Sequence, residues 1–236
     1  MKHLDFPKLA VSRETLSDHV YRVIRDAIVS LRFKPGQLVY EAELGKMMGV
    51  SRTPVREAFR RLMAEELIEV LPQRGARIAY ISLKKIHEAR IVRASLEACA
   101  FKQVAEMWNP EEERFQKLHA DVKKILQEQR DAVEAEDVDT FFEKDESFHL
   151  LILEATGNST LISVIRQMRS HLNRMRYLEL LEAKHYRRVA EEHEAIFEAV
   201  VAKDAALAEQ LLNRHIRQLE NRTESLSRKY PQYFRE

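Results

Sequence analysis

Two groups of residues in this chain stand at spacings that chemistry can use. Asp145 and His149, in FFEKDESFHLLI, are four apart, so on a helix they leave one face a turn apart and can share a metal ion. Five of the nine histidines lie at or after residue 149, and two of them, His193 in AEEHEAIFEAV and His215 in LLNRHIRQLE, fall among apolar residues. Three helices can therefore converge one Asp and three His in a bundle interior. The competing reading is that each histidine is singly satisfied or exposed, and for Asp145 with His149 alone the spacing favours neither. One carboxylate and three neutral imidazoles on a divalent ion leave a local charge of about +1, with water completing the coordination sphere, and such a centre attracts an anion.

The second group is SRTPVREAFRR, residues 51–61, with four arginines, one acid and hydroxyls at its start. A helix beginning there offers free amides and a positive dipole to phosphate, while Arg52 and Arg56 share one face. An arginine on such a face can grip guanine O6 and N7 in a major groove. Four arginines alone are equally compatible with a solvated charged face. The order of the surrounding elements decides for nucleic acid.

Those elements are legible from periodicity. Leu16, Val20, Val23, Ile24, Ala27, Ile28 and Leu31 mark one helical face, which stops at Phe33-Lys34-Pro35-Gly36. A short helix over 41–48 turns at Gly49-Val50 into another whose face is Val55, Ala58, Phe59, Leu62 and Met63, with Pro54 in its first turn and Ser51 or Thr53 as cap. Ile68–Leu71 and Arg77–Ile81 read as a β-hairpin with a basic tip, where Arg74 beside Gly75 can reach an adjacent groove or phosphate. Beyond Ser82 no further strand is expected. Helices are expected over 83–107, 111–135, 137–156, 159–182, 187–202 and 204–228, as one antiparallel bundle. The fold class is thus mainly α: a winged helix-turn-helix over 1–80, then an all-helical domain over 81–236.

Composition narrows the function. The 236 residues carry a formal charge of +1, which divides into +4 over residues 1–80 and −3 over the rest. With five glycines there is no GxGxxG or GxxxxGK[ST], which excludes Rossmann and P-loop chemistry. No window has the roughly 18 to 20 apolar residues of a membrane span, and the start, MKHLDFPKLAVSRE, lacks the apolar core of a signal peptide. A cytoplasmic location is expected. The lone Cys99, in ASLEACAF, suits a reducing compartment and reads as a packed small side chain.

The stretch KPGQLVYEAELGKMMGVSRTPVREAFRRLMAEELIEVLPQRGARI resembles the N-terminal winged helix-turn-helix of the GntR family of bacterial regulators, with PG, E-x-E-L, GVSRTPVREA and the wing glycine in order. That resemblance implies operator contacts from Ser51, Arg52, Thr53 and Arg56, with Arg74 and Gly75 in the wing. Phe59 stands where the family usually has Leu, Glu66 where it often has Gly, and Ala42 where some members place a DNA-contacting arginine. From about residue 84 to 230, IVRASLEACA, DESFHLLILEATGN and EEHEAIFEAVVAKDAALAEQLLNRH resemble the FCD effector domain of the FadR subfamily. In its metal-binding members the ligand positions match Asp145, His149, His193 and His215; fatty-acid-binding members lack them, which argues against an acyl-CoA effector. Zinc is the first expectation, with nickel or manganese as alternatives. Arg93 matches the Arg of an R-x-x-L-E pattern and is a candidate to grip an effector carboxylate; the alternative is a surface pair with Glu97. His87, His119, His171 and His185 match no ligand position and are expected on the surface or in packing.

The resemblance implies a homodimer on a pseudo-palindromic operator, responding to a small carboxylate metabolite. A metal-dependent hydrolase or oxygenase fused to a DNA-binding module is the alternative, but HExxH is absent, and Glu146 and Glu192, adjacent to ligand positions, should point off their helical faces. A structural metal clip without an effector is a third reading.

Overall fold

The computed structural model describes residues 15–72, 74–183, 185–218 and 220–235. The opening segment MKHLDFPKLAVSRE and the tip residue Gln73 lie outside the described residues.

Helix α1, Leu16–Val29, starts in a capping box: Thr15 accepts from the Asp18 amide at 3.1 Å, and the Thr15 amide donates to the Asp18 carboxylate at 3.0 Å. Helices α2, Glu41–Met48, and α3, Arg52–Ala64, form the helix-turn-helix. An added Cβ at Gly45 would lie 2.9 Å from the Val50 carbonyl oxygen, so only glycine lets the turn fold so closely onto α2. Strands β1, Leu38–Val39, β2, Ile68–Leu71, and β3, Gly75–Ile78, make an antiparallel sheet in the order β1-β3-β2. Val20, Ile24, Ile28, Leu44, Val55, Leu62 and Ile78 fill the core between the sheet and α1 to α3.

Strand β4, Ile81–Ser82, leads into the helical layer: α4 Leu83–Met107, α5 Glu113–Glu134, α6 Val138–Ala155, α7 Ser159–Ala183, α8 Tyr186–Val201, α9 Ala205–Arg217 and α10 Glu220–Lys229. Helix α4 packs against α7 and α9, α5 against α6 and α8, and α8 against α9. A 3-10 turn, Pro231–Tyr233, then precedes β5, Phe234–Arg235.

Four expectations need correction. Strand β5 pairs in parallel with β4, Ile81 opposite Phe234, so a strand does exist beyond Ser82; a two-residue pairing set by the returning chain carries no alternation to read. For the same reason β1 went unread. The run Arg77–Ile81 is divided, because β3 ends at Ile78 and Ile81 joins the second sheet. The expected 204–228 helix is two helices, one ending at Arg217 and the next starting at Glu220; Gln218, still α-helical in its backbone, donates its side-chain amide to Glu192 at 2.7 Å. Cys99 is exposed: Glu97, Ala98, Ala100 and Phe101 take the inner face of α4, and position 99 falls outside it with Ile91 and Ser95.

Candidate functional site

The inner stripes of four helices bring polar residues to one place. On α4 the buried positions Ile86, Arg90, Arg93, Glu97, Phe101 and Val104 repeat at three and four, so Arg90, Arg93 and Glu97 share one seam with apolar residues. On α6 the seam is Phe141, Asp145, Phe148, His149 and Ile152; on α8 it is Val189, His193, Ile196, Phe197 and Val200. His215 lies on α9 between buried Leu212 and Ile216. One ligand atom from each of Asp145, His149, His193 and His215 lies within 4.8 Å of the others. Donor atoms around a transition metal stand about 3 to 4 Å apart, so small side-chain motions close this set on one ion.

Partners behind the histidines fix which nitrogen faces inward. Gln129 on α5 donates its amide to the Lys144 carbonyl at 3.1 Å, which turns its oxygen toward His193 Nδ1 at 2.9 Å. Glu192 accepts from His215 Nδ1 at 2.9 Å, and Glu97 lies 2.9 Å from His149 Nδ1. His193 Nδ1 and His215 Nδ1 thus have oxygen acceptors, which leaves their Nε2 atoms as lone-pair donors toward the centre, the arrangement that orients metal-bound imidazoles; the Glu97 contact to His149 Nδ1 lacks hydrogen-bond geometry, and Arg93 Nη2 lies 3.3 Å from His149 Nε2. His193 Nε2 and His215 Nε2 face each other at 3.3 Å, and buried Asp145 Oδ1 finds no hydrogen-bond partner. A cation among them answers both features, so these residues fit a divalent ion.

Protonation agrees. Burial pushes the His149 and His193 imidazoles well below the ordinary range, outweighing Glu97 beside His149. Burial also raises the Asp145 carboxyl, but the positive charges around it, the Arg176 guanidinium first, outweigh it and hold it at about 2. The Asp145 carboxylate and the neutral imidazoles of His149 and His193 therefore face each other at neutral pH.

Around this set runs a network of buried ions. Arg93 donates to Glu97 at 2.8 and 3.3 Å, and Arg169 reaches Glu97 at 3.0 Å. Arg176 donates to Asp145, and both Arg169 and Arg176 hold Glu146, at 3.0 and 2.8 Å. The Arg93–Glu97 pair is therefore formed, though in the interior and not on the surface: Arg93 is 2% exposed and Glu97 0%. Glu146 points off the ligand face as expected, whereas Glu192 does not, because α9 packs where its carboxylate can turn back onto His215. A cavity of about 40 Å³ lies beside the set, bordered by Arg93, Asp145, Arg176, Arg188 and His215. Gln129 and Arg176 escaped the sequence reading. Gln129 left a signal, since it continues the Phe115, Leu118, Val122, Leu126 stripe of α5, where a polar residue needs a buried partner. His119 packs edge-on to Trp108, His87 lies near Arg90, His171 is partly covered near Glu66, and His185 meets Glu179 at 3.3 Å.

At the other end of the chain, Ser51 is the N-cap of α3, with its hydroxyl uninvolved in capping, and Ser51, Arg52, Thr53 and Arg56 are all exposed. Arg56 pairs with Glu41 of α2 at 3.2 Å. Arg74 is exposed at the hairpin tip, its amide closing the turn onto Leu71 at 3.0 Å. Gly75 has φ +81°, and an added Cβ would meet the Tyr40 ring at 2.7 Å. Its task in this fold is a close backbone approach. Phe59 is buried, and Glu66 adopts φ +56°, the left-handed conformation that explains a family preference for Gly there.

Comparison with known proteins agrees with both ends. The model of "Bacterial regulatory proteins, gntR family" matches residues 16–78 and that of the "FCD domain" matches residues 88–218. The HTH-type transcriptional repressor RspR of Escherichia coli K12 is 26% identical over 223 residues, covering 94% of this chain and 95% of the relative. The gluconate operon transcriptional repressor of Bacillus subtilis 168 is 28% identical over 230 residues, 95% and 92% of the two chains. Among solved structures, E. coli McbR/YncC superposes with a TM-score of 0.77 at 23% identity over 94% of this chain and 100% of that one, which supports the fold. These families and relatives are regulators and not enzymes. No helix among the described residues is long and apolar enough to cross a membrane. The chain belongs to the GntR family of bacterial regulatory proteins, with an FCD effector domain, and is a DNA-binding transcriptional regulator.

Proposed function

We propose that this regulator works in the cytoplasm as a homodimer on a pseudo-palindromic operator, and that a metal-anchored carboxylate metabolite sets its operator affinity. The division falls near residue 80, with the winged domain before it and the effector domain after. Asp145, His149, His193 and His215 would hold a divalent ion, zinc first and nickel or manganese as alternatives, and that ion would supply a positive anchor for a carboxylate. Arg93 and Arg176, beside the same cavity, supply further cationic donors. The observation that carries this reading is the convergence of four ligand atoms, with oxygens behind His193 and His215 that orient both imidazoles.

Ser51, Arg52, Thr53 and Arg56 would contact the operator from the start of α3, and Arg74 and Gly75 from the wing. Two such modules related by a dyad match two half-sites. Helix α7 links the two ends. Arg169, Asn173 and Arg176 hold the carboxylates beside the ligand set, while Ser170 donates to Glu65, the C-cap of α3, at 2.7 Å. Glu65 also accepts from Arg25 of α1 at 3.1 Å. A shift of α7 therefore acts on the end of the recognition helix.

The test is metal analysis and effector titration on protein purified without chelator. One ion per chain is expected, absent from His193→Ala and His215→Ala and retained in His171→Ala. Small carboxylates, gluconate first because of the B. subtilis relative's name, should bind the metal-loaded protein and shift operator affinity without turnover. Absence of a stoichiometric ion would sink the metal centre. A monomer both free and on DNA, by sedimentation, would sink the dimer.

A further inference from the structure

Arg93, Arg169, Arg174 and Arg176 are all buried arginines, and three of them rest on carboxylates: Arg93 on Glu97, Arg169 on Glu97 and Glu146, Arg176 on Asp145 and Glu146. Arg174 of α7 is different. It is 2% exposed, and the acceptors it reaches among the described residues are main-chain carbonyls: Nη1 donates to Ala79 and Nη2 to Tyr80, the latter at a long 3.5 Å. Its Nε has no acceptor among the described residues. Burial with no carboxylate to offset it pushes the guanidinium down to about 10. A buried cation without a counter-charge costs several kcal/mol, and carbonyl dipoles return only part of that.

The space beside Arg174 is not filled by protein. A cavity of 400 Å³ lies between α7, the foot of the hairpin and the start of α4, and Arg174, Lys85, His171 and Arg235 border it. Two acids border it too, and each is already engaged: Glu66 by Lys85, and Glu69 by Arg77 at 2.5 Å. Arg235 lies 3.7 Å above the Tyr80 ring, at the rim. The volume is at the lower end of the roughly 300 to 1,000 Å³ typical of small-ligand pockets.

We propose that this cavity is an anion-binding site, separate from the metal centre, which takes a small oxyanion, carboxylate or phosphate, on Arg174 with Arg235 at its rim. The guanidinium presents a planar fork suited to either oxyanion, and the ligand supplies the counter-charge that the chain withholds. Position gives the site its consequence. Arg174 rides on α7, the carbonyls it holds belong to the segment joining the winged domain to α4, and Glu66 follows directly on the recognition helix. An anion seated there fastens the DNA-binding module to the effector domain, so its occupancy changes operator affinity as well as stability.

The probes are inorganic phosphate and citrate, each titrated into the full-length protein by calorimetry at constant ionic strength, with melting followed in parallel. At least one should bind one-to-one and raise the melting temperature; phosphate alone identifies a phosphorylated ligand, citrate alone a carboxylate, and both a general oxyanion site. Arg174→Met should weaken that binding about tenfold or more while staying folded, since an apolar chain of similar volume removes a buried charge. Arg235→Ala, at the exposed rim, should weaken it severalfold with the fold intact. His193→Ala should bind the probe as wild type does, which keeps this result independent of the metal centre. If neither probe binds at about 10 mM, or if Arg174→Met binds as tightly as wild type, the site does not exist.

Discussion

In the winged domain the interior is made of Val20, Ile24, Ile28, Leu44, Val55, Leu62, Ile78 and their neighbours, and every arginine with a candidate DNA role stands outside it. The effector domain does the reverse. All the buried polar side chains among the described residues lie between Arg90 and His193, and they interlock: Glu97 alone serves Arg93, Arg169 and His149. An exposed recognition surface can be changed residue by residue with the fold unaffected. A buried one cannot, because the ions around the ligand set are one another's counter-charges, Arg174 standing apart from them. Function and stability should therefore separate in the first domain and travel together in the second.

The largest effect should come from the shared carboxylate. Glu97→Ala leaves Arg93 and Arg169 without their counter-charge and should cost about 3 to 5 kcal/mol in urea unfolding. A loss within about 1 kcal/mol would mean the network is not interlocked, and the contrast between the domains would fail. Metal comes next: at about a hundredfold excess of free ion over its dissociation constant, the bound form should gain about 2.7 kcal/mol. Chelation should lower the melting temperature of wild type and of His171→Ala, but not of His193→Ala or His215→Ala, whose ligand set is already broken.

The winged domain supplies the opposite outcome. Arg52→Ala or Arg56→Ala should cost about 1 to 3 kcal/mol of operator affinity. Their unfolding free energies should stay within about 0.5 kcal/mol of wild type. Operator binding should also fall steeply with salt as counterions are released. Unchanged affinity in both variants, or a flat salt response, would remove Arg52 and Arg56 from the interface.

The smallest effect sits at the junction. Burial raises the Glu65 carboxyl, but Tyr21, Ser170 and Arg25 outweigh it and hold its pKa below the usual 4.5. A carboxyl depressed in the folded state contributes stability above 4.5, and loses it as pH falls through the lower folded value. Glu65→Gln should therefore cost about 1 to 2 kcal/mol at pH 7 and flatten the acid side of the stability curve, with α7 less firmly coupled to α3. An acid limb identical to wild type would show that Glu65 does not carry the junction.

Much of this was readable before any coordinates. The helical faces of α1, α3 and α4 to α9 follow from apolar spacing, because burial of one stripe is what forms each helix. Asp145 with His149 was readable as a pair for the same reason: positions four apart share a face whatever the rest of the chain does. The FCD segments carried the four ligand positions through resemblance, and the winged motif carried the candidate DNA contacts. Periodicity failed where a contact is too short to repeat, at β1 and β5, and it failed at Cys99, where an apolar string hid one outward position.

What the sequence determined by itself is each residue's place on its own helix: that Arg52 and Arg56 share one face, as do Asp145 and His149, and that His193 falls among apolar residues. What only the tertiary structure decided is which of those faces meet. That Gln129 backs His193, that Glu192 turns onto His215 and that Arg174 finds carbonyls in place of a carboxylate depend on packing between helices far apart in the chain. The reason is physical: local spacing fixes direction around one axis, whereas a buried charge is answered by whatever the neighbouring element presents, and that follows from how all the faces pack together.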